Sequence, residues 1–340
     1  MAELAGDRGA AVAAFLAAHG WSGVEPVQIA GDASFRRYYR LAYRGRRVVL
    51  MDSPAAHEPV GPFVAVAEAL RRFGLSAPAV FAEDGANGLL LIEDFGDDTY
   101  TRLLAGGADE TALYALAIDA LAALHRAAAA QGVPDLPLYD EARLIGEAAL
   151  LSEWYAPAVL GRSLSSEARR SYRALWRELL PLATLSEPTL VLRDYHVDNL
   201  MLLRGRDGVR GCGLLDFQDA VIGPASYDLV SLLEDARRDV PAALQAAMTE
   251  RYLDAFPGID RARFKRSAAI LAAQRNCKIV GIFTRLAQRD GKPQYLGHIP
   301  RVWRLIEQDV RDPVLAPLAA WLDRHLPPRL RRIPPERSAA

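Results

Sequence analysis

The sequence predicts an α+β, two-lobe protein, with a small β-rich N-lobe followed by a larger, mainly helical C-lobe. Three observations carry that expectation. Strand signals cluster between Val24 and Ile92, helix patterns dominate after Gly96, and between residues 189 and 222 two short apolar runs carry polar clusters instead. At 340 residues the chain is long enough for two lobes and a sizeable core.

Residues 8–19 have the spacing of a short amphipathic helix. The stretches "PVQIAG", "RRYYRLAYRGRRVVLM" and "GLLLIEDF" read as strands, with "YRGR" as a hairpin turn. A helix over Val60–Phe73 interrupts them, and "GLSAPAV" follows it. The change of character near Asp94–Asp97 sets the boundary, so residues 1–95 form the N-lobe and 96–326 the C-lobe. Beyond it, "ETALYALAIDALAALHRAAAA" is an Ala/Leu-rich helix with no internal breaker. Helical patterns recur at about 141–156, 166–180, 226–235, 241–255 and 263–289. The tail, 327–340, is Pro/Arg-rich and expected to be extended or disordered.

Composition excludes several classes. Hydrophobic residues make up 51%, and the net charge is −1, unlike the basic balance of a general nucleic-acid binder. Cys212 and Cys277 are far apart and lack metal-ligand spacing, which argues against a disulfide framework or zinc site and for a reducing cytosol. The N-terminus lacks a basic start before an apolar core, so no signal peptide is expected. No apolar run reads as long enough to cross a bilayer, so no membrane association is expected. His57, His298 and His325 show no metal-ligand grouping, and His125, near a helix end, reads as structural.

The chemistry concentrates in two stretches. In "VLRDYHVDNLML", Asp194, His196 and Asn199 are spaced D-x-H-x-x-N between apolar runs. In "CGLLDFQDAVIGPASYDLVSLLED", Asp216 ends an apolar run and Asp219 and Asp228 follow. A single buried Asp is more often a structural acceptor than a catalyst. Two such clusters about twenty residues apart suit a metal-bound phosphate, which needs hard oxygen ligands for Mg²⁺ and a separate carboxylate to orient the attacking hydroxyl.

These paired motifs resemble the aminoglycoside phosphotransferase/choline kinase family, which has a protein-kinase-like fold, and the likeness covers nearly the whole chain. It implies ATP and Mg²⁺ as cofactors. It makes Asp194 the catalytic-loop aspartate, Asn199 a Mg²⁺ ligand and Asp216 the counterpart of the kinase D-F-G aspartate. His196 and Asp228 would brace the catalytic loop. "IAGDASFRRYYRL" looks like the phosphate-covering loop, with Gly31 and Ser34 nearest the nucleotide. "LLLIEDF" looks like the hinge, where backbone groups of Glu93 and Phe95 meet adenine. One position departs from the pattern. Met51 in "RRVVLMDSP" stands where the family usually has a phosphate-holding lysine, and Glu68, the helix-glutamate candidate, lacks that partner. Either the protein is a degenerate kinase, or Arg36 or Arg37 supplies the charge. The intact set Asp194, Asn199 and Asp216 favours the second.

The acceptor is read from the segment 269–303. Gln274, Lys278, Gly281 and Arg285 follow an i, i+4, i+7, i+11 pattern on one helical stripe, which reads as the lining of a substrate cleft. From Arg261 to Val310 there are eleven Lys/Arg against three Asp/Glu (Asp290, Glu307 and Asp309). Polycationic aminoglycosides would want an acidic pocket, whereas a basic one suits a neutral or anionic acceptor. The motifs "GDASFRRYYRL", "MDSP", "RDYHVDNL" and "QRNCKIVGIFTRLAQRDGKPQYL" look most like the anomeric kinases for N-acetylmuramate and N-acetylglucosamine in bacterial peptidoglycan recycling. That subgroup carries the same "MD". The likeness implies an amino-sugar substrate and transfer to its C1 hydroxyl, giving the α-1-phosphate. It does not assign the sugar-contacting residues, though an aromatic of "WYAPAVL" (154–160) is one stacking candidate besides a packing role. Three other readings stand beside it. One is a kinase for an amino alcohol or antibiotic, one a nucleotide-binding pseudokinase, and one a metal hydrolase using Asp194, His196 and Asp198, which no second His cluster supports.

Overall fold

The computed structural model describes residues 7–29, 36–54, 58–184 and 188–335. Two compact units emerge, one made of Met1–Pro134 with Asp198–Ala220 and the other of Asp135–Val197 with Val221–Ala340. The units do not divide at the change of character near Asp94–Asp97, because two helices and a later strand pair belong with the first unit. In chain order the strands are β1 (Val27–Gln28), β2 (Arg37–Tyr43), β3 (Arg46–Asp52), β4 (Val80–Asp84), β5 (Leu89–Glu93), β6 (Thr189–Val191), β7 (Leu200–Leu202), β8 (Cys212–Leu214) and β9 (Val221–Gly223).

In the first unit, β1 to β5 form an antiparallel sheet in the order β1-β2-β3-β5-β4. The hairpin turn read from "YRGR" is present. Arg44 and Gly45 both have positive φ, 48° and 78°, which a two-residue hairpin turn requires. Strand alternation does the rest. Tyr39, Leu41, Val48, Leu50, Leu89 and Leu91 point to one face and close a core with Val12, Phe15 and Leu16 of the Asp7–Ala18 helix and with Trp21. The same pleat turns Tyr38, Arg40, Val49 and Ile92 to the other face, where they line a cavity. The Gly61–Arg72 helix buries Phe63, Val66 and Leu70 and leaves Glu68 exposed.

Side-chain caps start the next helices. Thr99 accepts Arg102 N–H at 3.1 Å before Tyr100–Ala105, and Asp109 accepts Ala112 N–H at 3.1 Å before Glu110–Gln131. Contrary to the sequence reading, Glu110–Gln131 is long and apolar enough to cross a membrane by length and composition. Over half of its apolar window is buried, and it packs on β8, which pairs antiparallel with β7.

The second unit is mainly helical, with β6 and β9 as an antiparallel pair. The Arg261–Asp290 helix runs through its core, burying Ile270, Leu271, Cys277, Val280 and Phe283. Gly281 permits a close approach, since a Cβ there would sit 2.3 Å from the Leu150 carbonyl carbon, next to the π-turn Leu151–Tyr155. The segment after Pro327, expected to be extended or disordered, carries a 3₁₀ turn at Pro328–Leu330. Tyr155 Oη donates to Leu330 O at 2.6 Å, and Arg331 pairs with Glu307 at 3.0 Å and Asp323 at 2.6 Å.

Two carboxyl groups meet inside this unit. Asn276 Nδ2 donates to Glu234 at 2.7 Å and to Asp309 at 2.9 Å, and Arg275 reaches the Glu234 carbonyl at 3.1 Å. Burial raises both carboxyl pKa values, and in Asp309 the Glu234 charge raises it further. The folded state therefore holds protons that the unfolded chain has released above about pH 4. This contribution is fully present below that range and is lost as pH rises, at about 1.4 kcal/mol per pH unit for each retained proton. Denaturant unfolding at pH 5, 6 and 7 should show stability falling less steeply with pH in Asp309→Asn than in the wild type. Parallel slopes would contradict a raised Asp309 pKa in the folded state.

Candidate active site

The division between the units falls between Val197 and Asp198, inside the D-x-H-x-x-N motif, so Asp194 and His196 belong to the second unit and Asn199 to the first. In the first unit a cavity of about 340 Å³, a size suited to a small ligand, is lined by the sheet face already described and by Asn199, Met201, Leu215 and Asp216. Arg40 reaches Asp94 through Nε at 2.8 Å and Nη2 at 2.9 Å. Asp94 also accepts Gly96 N–H at 2.9 Å, which fixes the turn where Gly96 has φ +82°. Burial disfavours the Arg40 charge, but Asp94 and Asp97 outweigh it and raise its pKa.

Glu93 and Phe95, expected at the hinge, both line this cavity. The Glu93 N–H is already engaged by Ala79 O at 2.9 Å. Its carboxylate turns to Arg206 and Arg71. The Phe95 ring lies against Gly213, where a Cβ would come within 2.9 Å of it. Gly31 and Ser34 lie outside the described residues, as does His57.

Asn199 and Asp216 come together. Asn199 Nδ2 is 3.4 Å from Asp216 Oδ2, Leu215 N–H donates to Asn199 O at 3.0 Å, and Gln218 Nε2 donates to Asp216 Oδ1 at 2.6 Å. Asp216 has φ +56°, a left-handed conformation that Asp adopts more readily than most residues. Gln218 Oε1 is buried without a hydrogen-bond partner. An amide oxygen, a carboxylate and this second amide oxygen are the hard donors that Mg²⁺ takes, so the residues present fit the ion. Among the described residues no three His, Cys, Asp or Glu side chains converge, so phosphate oxygens and water would complete its shell.

Arg36 stands beside this pair. Its Nε pairs with Glu58 at 3.0 Å and its Nη1 is 3.9 Å from Asp216. Arg37 opens β2, opposite Asp52. Met51 is fully buried in β3. Glu68 corrects the sequence expectation, because its exposed position on the helix points it to solvent, and the acid beside the arginine is Glu58.

In the second unit Asp228 is fully buried. It accepts Leu192 N–H at 2.6 Å and Arg193 N–H at 2.9 Å, while Ser231 Oγ donates to Arg193 O at 3.2 Å. These bonds hold Arg193 at φ +70°. Its guanidinium pairs with Glu147, which also takes Lys278 Nζ at 2.9 Å and the Tyr139 hydroxyl. Lys278 Nζ donates to Tyr227 Oη at 3.3 Å. Burial raises the Asp194 pKa, but the charges of Lys278, Arg193 and Arg275 hold it below the ordinary carboxylate value. His196 is buried, and burial followed by the Arg237 charge lowers its pKa, so at neutral pH it is an uncharged brace. Asp194 is therefore an ionised carboxylate at neutral pH.

The substrate stripe requires correction. Gln274 is fully buried and donates to Leu144 O at 2.8 Å, so it ties two helices together and does not face a cleft. Lys278 is already paired with Glu147. The basic excess of the segment is partly balanced from outside it. Arg261 and Lys265 pair with Glu250, and Arg301 and Arg304 pair with Asp239. Arg285, partly buried, keeps a buried Nε without a hydrogen-bond partner among the described residues. Sequence reasoning missed Glu147, Glu58 and the Arg40–Asp94 pair, none of which carries a local signal.

A family model for the phosphotransferase enzyme family matches residues 25–265. The N-acetylmuramate/N-acetylglucosamine kinase of Caulobacter vibrioides is 38% identical, covering 97% of this chain and 99% of that protein. The kinase of the same name from Pseudomonas aeruginosa is 40% identical over 90% of each. Among solved structures, a choline/ethanolamine kinase family protein from Mesorhizobium loti superposes with a TM-score of 0.61 at 15% identity, covering 92% of this chain and 98% of that one. With a family match over most of its length and relatives aligned nearly end to end, the chain belongs to the phosphotransferase enzyme family.

Proposed function

We propose that the protein is an ATP- and Mg²⁺-dependent sugar kinase. It phosphorylates the anomeric C1 hydroxyl of N-acetylmuramate and N-acetylglucosamine to the α-1-phosphate, in cytosolic peptidoglycan recycling. The likeness to two kinases of that printed name supports the substrate class. The observation that carries the chemistry is an Asp194 kept ionised by Lys278, Arg193 and Arg275 despite burial.

Asp194 aligns the sugar hydroxyl and accepts its proton as the bond to phosphorus forms. Asn199, Asp216 and Gln218 would hold Mg²⁺, which supplies charge neutralisation on the transferred phosphate. An anomeric hydroxyl is more acidic than an ordinary alcohol, because the ring oxygen withdraws electron density, which eases the demand on that proton transfer. The nucleotide occupies the first unit's cavity, with Arg36 as the phosphate cation in place of a strand lysine and Glu58 as its anchor. Arg285 lies seven residues, or two helical turns and about 10.5 Å, beyond Lys278, and is the cation left for the lactyl carboxylate of N-acetylmuramate.

The reading is tested by incubating the protein with Mg·ATP and N-acetylmuramate, N-acetylglucosamine, choline and an aminoglycoside. Phosphorus–proton coupling to the anomeric hydrogen in both sugars is the expected result. Phosphate at C6, or preferred transfer to the antibiotic, would overturn it.

The Arg36 assignment makes a separate claim. A charge-assisted hydrogen bond contributes roughly 1.5–3 kcal/mol, so Arg36→Met should lower kcat/KM for ATP about ten- to a hundredfold, and Arg36→Lys should recover part of that. Unchanged kinetics in Arg36→Met would return the phosphate-side charge to an unidentified group.

A further inference from the structure

A second cavity of about 580 Å³ opens in the first unit, lined by Arg71, Ser76, Phe81, Glu93, Arg206 and Arg210 among others. Arg71 and Arg206 face the Glu93 carboxylate there, and Arg210 adds a third arginine to the lining. Glu93 holds Arg206 in direct contact, and Arg71 stands 3.7 Å away with its side chain 46% exposed. Arg206 Nη1 donates to Ser76 Oγ at 2.8 Å, and Ser76 Oγ donates in turn to Arg210 O at 2.7 Å. Arg210 is exposed, and Phe81 presents its ring at 58% exposure. A concave cluster of arginines matches a phosphate dianion, which guanidinium groups bind in bidentate fashion, and an exposed ring offers a stacking face.

The cavity also shares parts with the nucleotide cavity. Glu93 lines both. Arg206 covers the Phe95 ring at 5.2 Å, and Phe95 lines the nucleotide side. An anion that draws Arg206 away from Glu93 therefore removes a cation from one hinge residue and a cover from the other. We infer that this cavity binds a phosphomonoester carrying an aromatic group, and that its occupation weakens nucleotide binding in the neighbouring cavity. The coupling rests on the nucleotide reading above, while the binding itself does not.

The probes are phenyl phosphate and orthophosphate, titrated calorimetrically at constant ionic strength without nucleotide. Phenyl phosphate should bind more tightly than orthophosphate. Its affinity should fall at least about tenfold in Arg71→Glu/Arg210→Glu, the loss of one charge-assisted contact, and Phe81→Ala should abolish the preference for the aromatic ester. In the wild type the Kd for ADP should rise with phenyl phosphate to a plateau of about fivefold or more, the usual lower range of coupling between sites, and should not change in the double variant. Equal binding of phenyl phosphate to the wild type and the double variant would overturn the site. Binding that is lost in the variant without any effect on ADP in the wild type would overturn the coupling, as would a rise without a plateau, which marks competition inside the nucleotide cavity. Failure of ADP to bind the wild type would sink the nucleotide reading and leave the phenyl phosphate comparison intact.

Discussion

Asp228 spends one buried carboxylate on the N–H groups of Leu192 and Arg193, and the chemistry of the second unit depends on that arrangement. Burial pushes its pKa up to about 7, against the two N–H groups that favour the charged form. With the backbone held, Arg193 takes a left-handed conformation and its guanidinium reaches Glu147. Glu147 binds Lys278 as well, so one acid orders two cations. Those cations, with Arg275, overcome the desolvation that would otherwise protonate Asp194. Removing one member of such a buried set leaves the others unpaired, which costs more than the bond itself contributes.

In the proposed reading, the first unit supplies charge for the phosphate without a strand lysine. Met51 fills its position in β3 with a fully buried apolar side chain. Charge comes from the preceding strand's edge, where Arg36 lies between Glu58 and Asp216. A guanidinium can reach an anchoring acid and a second group together, because its donors form a fixed fork. The pairing of Arg40 with Asp94 fixes the turn at Gly96 and the polar edge of the same cavity.

What could be read from the sequence follows from how local each signal is. The β2–β3 hairpin was legible because "YRGR" supplies the two positive-φ positions within four residues. Asn199 and Asp216 stand in the two polar clusters that their spacing between apolar runs singles out, and the structure brings them to 3.4 Å. Glu147 was not legible in this way, because its partners Arg193 and Lys278 lie 46 and more residues away in sequence. Glu68 looked right by helix position, but one step of helical phase decides whether a side chain meets the sheet or the solvent. The stripe of Gln274, Lys278 and Arg285 was a true helical stripe, yet periodicity shows which residues share a face and not what covers it. Here Leu144, Glu147 and the Leu150 backbone lie along it.

The claim at the centre is that Asp194 contributes a proton acceptor and not a nucleotide contact. Asp194→Asn keeps the shape and removes the basicity. The decisive measurement is its kcat with N-acetylmuramate set beside its Kd for ADP. Turnover should fall at least ~10²-fold, the scale of a general-base contribution, while ADP binds as it does to the wild type. Near wild-type turnover, or a loss of ADP affinity that matches the loss of turnover, would contradict the assignment.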